Sequence, residues 1–379
     1  FTEKDKLDNA VFAQGYADHF LSGAASPSVD LAVELVQQWL PGIGLDEVAA
    51  AFEALAPPDG QLVSVTAPDK EGVTLPGEQE LAALFEQVGT AVLAPRPDSL
   101  AGQQLMDQAP LPAEIVSEQA YPDLGISLFE LANGVRVIVK PTDFWADDIV
   151  FSAASPGGTS LVEDEDFPEA SAVAHLVAQS GVGELSQGEL EALLAGKAVH
   201  VAPGIYETSE GFSGYATGQD LEEAFQLIYL YATAPRLDPT AVQVYQNQAQ
   251  AALVNRTVTP DAALQDALVD ALYGDTLRRG PLTLGQIDAF DAGRALAIYR
   301  ERFEDMSDFT FPFVGNVDEA QIKDLAQRYL GALPGGGREE TWRTVVPVTL
   351  SGVDERTVVK GQEEQSIVQL VFTGPFTPT

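Results

Sequence analysis

The chain has no cysteine and only three histidines, His19, His175 and His200. The lack of cysteine excludes a disulfide framework and any thiolate-based metal or catalytic site. No two histidines share the i, i+4 spacing with which a helix presents a pair of imidazoles to zinc. The sequence therefore predicts no catalytic residues and no metal site of its own.

Positive charge is scarce, with 20 Lys+Arg against 57 Asp+Glu and a net charge of −37 over 379 residues. Binding to a phosphate backbone or to an anionic membrane surface requires a basic patch, so neither nucleic acid nor membrane is an expected partner. We favour adaptation to a salty medium as the reason for this charge. An acidic surface that recruits cationic peptides or ions is the alternative.

Long apolar runs are also missing, because no stretch approaches the roughly 18 residues that span a bilayer. The chain starts at Phe1 without an initiator methionine. We therefore expect Phe1 to be a boundary within a longer polypeptide, and this start is compatible with the loss of a signal peptide.

Residues 1–90 have the periodicity of helices, with one alternating segment that indicates a strand. The helices are expected at 9–21, 30–40, 45–55 and 76–89, and the strand at 61–68. One strand cannot form a sheet on which four helices bury their apolar faces. This region is therefore expected to be the C-terminal part of an α/β domain.

Residues 91–125 lose this periodicity and contain five prolines, which favour an extended linker. The next region, 126–337, is expected to be a complete domain. Asn133-Gly134 between alternating apolar runs predicts a β-hairpin. Further strands are expected at 148–161, 197–206, 210–217 and 308–316, and helices at 169–180, 186–195, 220–233, 239–255, 261–273, 291–303 and 318–333. This order indicates an α+β fold, with a mostly antiparallel sheet and helices packed on one face.

A second linker is indicated by Gly335-Gly336-Gly337, and residues 357–376 have the alternation of a strand. We expect residues 338–379 to be the start of a following domain.

Motifs of other enzyme classes are missing. There is no G-x-S-x-G elbow, and Gly157-Gly158-Thr159-Ser160 has no histidine near it in sequence, so its glycines are expected to form a turn. The acidic residues 163–166 lack the offsets of an EF-hand and are expected to form a solvated loop. All three histidines are expected to be structural, with His175 partly buried on the apolar side of its helix.

Three segments together resemble one repeat of the pitrilysin/insulinase-type zinc peptidases. They are LFELANGVRVIVKPTDFWADDIVFSAASPGGTSLV (128–162), LLAGKAVHVAPGIYETSEGFSGYATGQDLEEAFQLIYLYATAPRLDP (193–239) and FPFVGNVDEAQIKDLAQRYLGALP (311–334). The resemblance implies two homologous halves that close like a clamshell around a peptide. Residues 1–90 then resemble the end of the first half, 91–125 the connection, 126–337 the first domain of the second half, and 338–379 the start of its second domain.

In the catalytic half of that family, an inverted motif, H-x-x-E-H, supplies two zinc ligands and the general base. The matching positions here are His175, Ala178 and Gln179, and the third ligand, a glutamate, would fall in 246–255, which contains no acid. One imidazole cannot hold zinc in an open three-ligand site, and alanine cannot accept a proton from water. The resemblance therefore implies the non-catalytic half, degenerate at His175, Ala178 and Gln179.

The leading interpretation is a fragment of a zinc metallopeptidase that closes the chamber and helps bind a peptide substrate. The resemblance implies that zinc lies on a catalytic first half or partner subunit, and that the protein is periplasmic or in the cell envelope. The alternative is a non-enzymatic relative that acts as a binding or assembly subunit. A third interpretation, an unrelated acidic α/β protein, requires a doubly wound parallel sheet in 126–337.

Overall fold

The structure is a computed structural model of the 379-residue chain, which divides into two compact units, Phe1–Ala101 and Gly102–Thr379. The residues that it describes are 3–55, 62–67, 72, 74–91, 100, 102–256, 259–274, 276–345, 347–361 and 365–374.

The described part of the first unit contains four α-helices at or near the expected positions. They are α1 (Asn9–Ser22), α2 (Val29–Trp39), α3 (Leu45–Leu55) and α4 (Glu78–Gly89). The ends follow capping chemistry: the Ser28 hydroxyl accepts a hydrogen bond from the Leu31 amide at 3.3 Å, and Gly23 ends α1 with a φ of 69°.

No described residue of this unit is buried, and large side chains such as Phe20, Leu45 and Phe52 are exposed. The strand expected at 61–68 is not formed over residues 62–67, and its two end residues lie outside the described part. A strand needs a hydrogen-bonded neighbour, and none is present among the described residues of this unit.

In its described residues, the second unit is built on one seven-stranded sheet with the order β1-β2-β3-β7-β4-β6-β5. Its strands are β1 (Ile115–Tyr121), β2 (Ile126–Leu131), β3 (Arg136–Pro141), β4 (Ile149–Pro156), β5 (Val199–Ile205), β6 (Ser209–Ala216) and β7 (Thr310–Gly315). All neighbouring pairs are antiparallel except β3–β7. The expected α+β class is therefore confirmed, and the doubly wound parallel alternative is wrong.

The hairpin between β2 and β3 forms at Asn133-Gly134, as expected. Gly134 adopts a φ of 90°, and a Cβ there would lie 2.8 Å from the Cβ of Ser307. The Asn133 side chain donates to the carbonyls of Leu330 and Leu333 at 2.8 and 2.9 Å. This turn therefore also fixes the end of the last helix against the sheet.

The expected linker over 91–125 differs from the structure, because strand β1 lies within it. β1 pairs with β2 from Ile115 to Tyr121, and the Ala113 amide donates to the Gln327 carbonyl at 2.8 Å. The prolines at 110, 112 and 122 flank the strand without interrupting it. Pro95 and Pro97 lie outside the described residues.

Eight helices are described in this unit: α5 (Phe167–Ala178), α6 (Gln187–Leu193), α7 (Leu221–Thr233), α8 (Pro239–Arg256), α9 (Pro260–Tyr273), α10 (Leu284–Asp288), α11 (Ala292–Phe303) and α12 (Glu319–Leu325). The five-residue α10 was not expected from the sequence. A π-turn over Ala326–Leu330 extends α12, and the Gly331 amide donates to the Ala326 carbonyl at 2.8 Å.

The hydrophobic core lies between one face of the sheet and the helices. Along β4, Ile149, Phe151 and Ala153 are buried while the alternate residues are exposed. Phe212 of β6 packs on Phe303 of α11 with ring centroids 4.9 Å apart. Each fully buried phenylalanine contributes roughly 1.5–3 kcal/mol, so this face holds the helices in place.

Residues 335–374 form no helix or strand in their described part. The strand expected at 357–376 is therefore not formed over 357–361 or 365–374. Its apolar residues are exposed, including Val368, Leu370 and Phe372.

Candidate functional site

Helix α5 carries the three degenerate motif positions. Pro168 lies in its first turn, where the missing amide proton costs nothing, and the Gln179 amide donates to the His175 carbonyl at 3.1 Å. His175 and Gln179 are exposed and Ala178 is half-buried. The positions that would bind zinc in a catalytic relative therefore face outward on one side of the helix.

The expected partial burial of His175 is wrong. Val173, Leu176 and Val177 belong to the buried face of α5. His175 lies on the opposite, exposed side of the helix. Ser171 and Gln179, four residues to either side of His175, are exposed as well, so the exposed side of α5 is a narrow stripe.

The side chains on this face do not fit a zinc ion. One imidazole and one carboxamide are two ligands short of a tetrahedral site, and Ala178 offers no base. The described part of the chain contains no group of three His, Asp or Glu residues arranged to hold a metal.

The resemblance places the third ligand in residues 246–255. In the structure, side chains of this segment form hydrogen bonds to α10. The Gln246 side chain donates to the Ile287 carbonyl at 2.9 Å, and the Gln250 side chain donates to Asp288 at 2.6 Å. Amides at these positions therefore hold a neighbouring helix, where a carboxylate would be needed for metal binding.

The other two histidines are also exposed. The His200 ring lies 5.8 Å from that of Tyr215 on the neighbouring strand, and His19 contacts the carbonyl of Ala24.

The four residues 157–160 form a turn that holds the β5–β6 hairpin. Their amides donate to the hairpin: Gly157 to the Thr208 carbonyl (2.9 Å), Gly158 to the Glu210 carboxylate (2.5 Å), Thr159 to the Tyr206 carbonyl (2.8 Å) and Ser160 to the Glu207 carbonyl (2.8 Å). A Cβ on Gly158 would lie 2.2 Å from the Tyr206 carbonyl oxygen. The glycines are therefore required by close backbone approach.

The acidic residues 163–166 are partly ion-paired. The pairs are Glu163–Arg343 (3.1 Å), Asp164–Arg278 (2.6 Å) and Asp166–Arg294 (2.7 Å). The hydrogen bond from Arg294 holds the pKa of Asp166 below its ordinary value. The expected description of a solvated loop is incomplete, because three of its four carboxylates bind arginines from other elements.

A buried charged cluster lies next to the glycine turn, and the sequence interpretation missed it. The Glu210 side chain is fully buried, and its carboxylate lies 3.4 Å from Arg338 and 3.8 Å from Arg302. Arg302 binds Glu340 at 2.8 Å, and Arg338 binds Asp308 at 3.2 Å. The alternation of side chains along a strand could have indicated this cluster. Glu210 lies two residues before the buried Phe212 and therefore points to the same, inner face.

Comparisons with known proteins agree with this geometry. Residues 290–378 match the family model described as the Peptidase M16 inactive domain. A zinc protease PQQL-like protein of Arabidopsis thaliana is 23% identical over 336 residues, which cover 88% of this chain and 32% of that protein. The probable zinc protease PqqL of Escherichia coli (strain K12) is 30% identical over 226 residues, covering 58% of this chain and 24% of that protein.

These matches support the resemblance of the chain to the pitrilysin/insulinase-type peptidases. The matched model is described as an inactive domain and covers residues 290–378, which supports the non-catalytic C-terminal half for this part of the chain. It spans about a third or less of the length of these curated relatives.

Solved structures of two proteases share the fold. The periplasmic protease PqqL from Escherichia coli matches with a TM-score of 0.60 at 22% identity, over 92% of this chain and 38% of that one. The ferredoxin protease FusC, solved in complex with Arabidopsis ferredoxin, matches with a TM-score of 0.57 at 18% identity, over 89% of this chain and 38% of that one.

Proposed function

We propose that this chain is the part of a zinc-dependent peptidase that closes the chamber and helps to hold an extended polypeptide. The observation that carries the proposal is helix α5, which occupies the motif position of the family but presents His175, Ala178 and Gln179. Zinc and the general base then belong to a catalytic half outside this chain. The charge of −37 is ascribed to salt adaptation.

In this proposal, residues 1–90 end a domain of the first half and the segment that follows connects the halves. Residues up to 337 form the first domain of the second half, and 338–379 begin the next domain. The pairing of β1 with β2 supports an earlier start for that second-half domain, at Ile115 in place of residue 126.

Strand β5 offers a place for the polypeptide, because among the described residues it is an edge strand that pairs only with β6. The Tyr206 amide donates to the Ser209 carbonyl at 2.7 Å, and the Thr217 amide donates to the Ala198 carbonyl at 3.1 Å. Since antiparallel pairs alternate, even-numbered residues of β5 bond to β6 and odd-numbered residues direct their backbone groups to the open edge. An extended peptide would add to the sheet there.

Pro203 is one of these odd-numbered residues. It has no amide proton and is tolerated at an open edge without loss of a ladder bond to β6. The open edge therefore offers the amides of Val199, Val201 and Ile205.

The test uses the purified 379-residue chain, with zinc measured by elemental analysis and cleavage of casein measured with and without chelator. We expect no stoichiometric zinc and no chelator-sensitive cleavage. One zinc per chain together with such cleavage would contradict the proposal.

A matched variant tests whether α5 really has the motif geometry. Ala178→Glu with Gln179→His rebuilds H-x-x-E-H and places two imidazoles at i, i+4 on the exposed face. We expect measurable zinc binding by this variant, and none by the control Ala178→Glu with Gln179→Asn. Equal zinc binding by the two variants would show that α5 does not have the motif geometry.

The sequence upstream of Phe1 separates the two functional classes. An H-x-x-E-H there supports the peptidase, whereas its absence supports a non-enzymatic binding or assembly subunit.

A further inference from the structure

The segment after the last helix is fastened to the domain, although its three glycines suggested a free linker. We call residues 335–343 the strap. Four strap amides donate to the domain: Gly336 and Arg338 to Asp305 (2.9 and 3.3 Å), Glu340 to Asp308 (3.3 Å) and Arg343 to the Ser160 hydroxyl (3.1 Å). The strap therefore crosses from the loop before β7 to the glycine turn after β4.

The fully buried carboxylate of Glu210 lies beneath the strap. Arg338 reaches it from the strap and Arg302 reaches it from α11, while the Gly158 amide donates to it from the turn. Its neighbours on β4 and β5 are the uncharged Ser155 and Ile205. The cluster is completed by Asp308, from the loop before β7, and by Glu340 of the strap.

The charges of this cluster do not balance. When all groups are ionised, Glu210, Asp308 and Glu340 supply three negative charges against two positive charges from Arg302 and Arg338. Asp308 and Glu340 are the closer partners of the guanidiniums, at 3.2 and 2.8 Å. The negative charge that has no matching positive charge is therefore that of Glu210. This carboxylate is the one furthest from water, where an ionised group is least stable.

Docking of the strap affects Glu210 mainly by excluding water. The strap brings one cation, Arg338, and one anion, Glu340, to the cluster, so their effects on a nearby carboxylate oppose each other. The main effect of the docked strap is therefore the loss of solvent around Glu210, which disfavours the ionised form of this carboxyl group.

We propose that Glu210 is a proton-controlled latch for the strap: protonation of its carboxyl group favours the docked strap, and ionisation favours release. The latch sets how firmly the strap is held against this domain. It rests on the cluster alone and does not depend on the peptidase proposal.

The direction of the pH dependence follows from the difference between the pKa of Glu210 with the strap docked and its pKa with the strap released. Burial raises the pKa of Glu210 from 4.5 to about 7, against the lowering effects of the Gly158 amide and of the two guanidiniums. With the strap released, the carboxyl regains water and its pKa returns toward the ordinary value. The docked state therefore binds the proton more tightly, and docking weakens as the pH rises through about 7.

Hydrogen exchange of the four strap amides in the 379-residue chain tests the latch. After correction for the intrinsic exchange rate, we expect protection about tenfold higher at pH 6 than at pH 8. Glu210→Gln, a neutral side chain of the same shape, should give high protection at both pH values. Glu304→Gln removes an exposed carboxylate of the same region and should keep the wild-type pH dependence.

Two outcomes would overturn the proposal: equal protection of the wild-type strap at pH 6 and pH 8, or a pH dependence that survives in Glu210→Gln. A direct measurement needs no variant. The carboxyl carbon of Glu210, followed by NMR in the wild-type chain, should titrate near pH 7, and a midpoint near 4.5 would equally refute the latch.

Discussion

At the residue scale, close backbone approach at Gly158 joins three parts of the structure. Gly158 has a φ of 63° and faces the Tyr206 carbonyl where no Cβ fits. The same turn delivers an amide to the buried Glu210. The absence of a Cβ at Gly158 therefore allows the end of β4, the β5–β6 hairpin and the charged cluster to contact one another.

We expect Gly158→Ala to lower the free energy of unfolding by about 2–4 kcal/mol, because a left-handed alanine and a steric clash add together. The measurement is the denaturant midpoint followed by circular dichroism. Gly188→Ala is the matched control: Gly188 lies in α6 with open space around its Cβ position, so alanine there should be neutral or stabilising. Equal losses in the two variants would contradict this explanation.

At the element scale, the two edges of the sheet differ in what they leave open. β1 has a register shift between Ile115 and Ser117, which disturbs pairing at that edge. β5 is regular over seven residues and directs its odd-numbered backbone groups outward. The β5 edge is therefore the better place for an added strand.

Val201→Pro should weaken binding of an extended polypeptide at least severalfold, because it removes an outward amide and leaves the β5–β6 hydrogen bonds in place. Fluorescence anisotropy with labelled casein peptides measures the effect. Val116→Pro, at the exposed bulge of β1, places a proline at the other edge of the sheet and should bind as the wild type does. Unchanged binding by a folded Val201→Pro would exclude β5 as the peptide site.

Element prediction succeeded where local signals were strong. The hairpin at Asn133-Gly134, the helices α5 and α7 and the alternation of β4 all follow from turn chemistry and periodicity. Prediction failed at β1 and over the described residues of 357–376, which are 357–361 and 365–374. Prolines around β1 favoured a linker, and alternation over 357–376 favoured a strand, but in both cases the presence or absence of a neighbouring strand decided the outcome.

At the scale of the whole molecule, the chain has both a high negative charge and many exposed apolar side chains. The chain carries a net charge of −37, and the described helices of the first unit have exposed apolar residues. No helix among the described residues is long and apolar enough to cross a membrane.

We expect the free energy of unfolding to rise with KCl concentration, because screening reduces the repulsion among unpaired carboxylates. Denaturant midpoints at low, intermediate and molar KCl, measured with urea, test this expectation. Glucose at matched osmolarity is the control for a general solute effect. A midpoint independent of KCl would show that the charge is not a feature of salt adaptation.

The sequence by itself indicated the fold class, the family resemblance and the lack of zinc-binding residue types at the motif positions, because periodicity, turn residues and residue identity are local properties of the chain. Only the tertiary structure decided that His175 is exposed, that β1 joins the sheet and that the strap is fastened over Glu210. Each of these depends on contacts between residues far apart in sequence, and the burial of a charge or the pairing of a strand exists only once those residues have met.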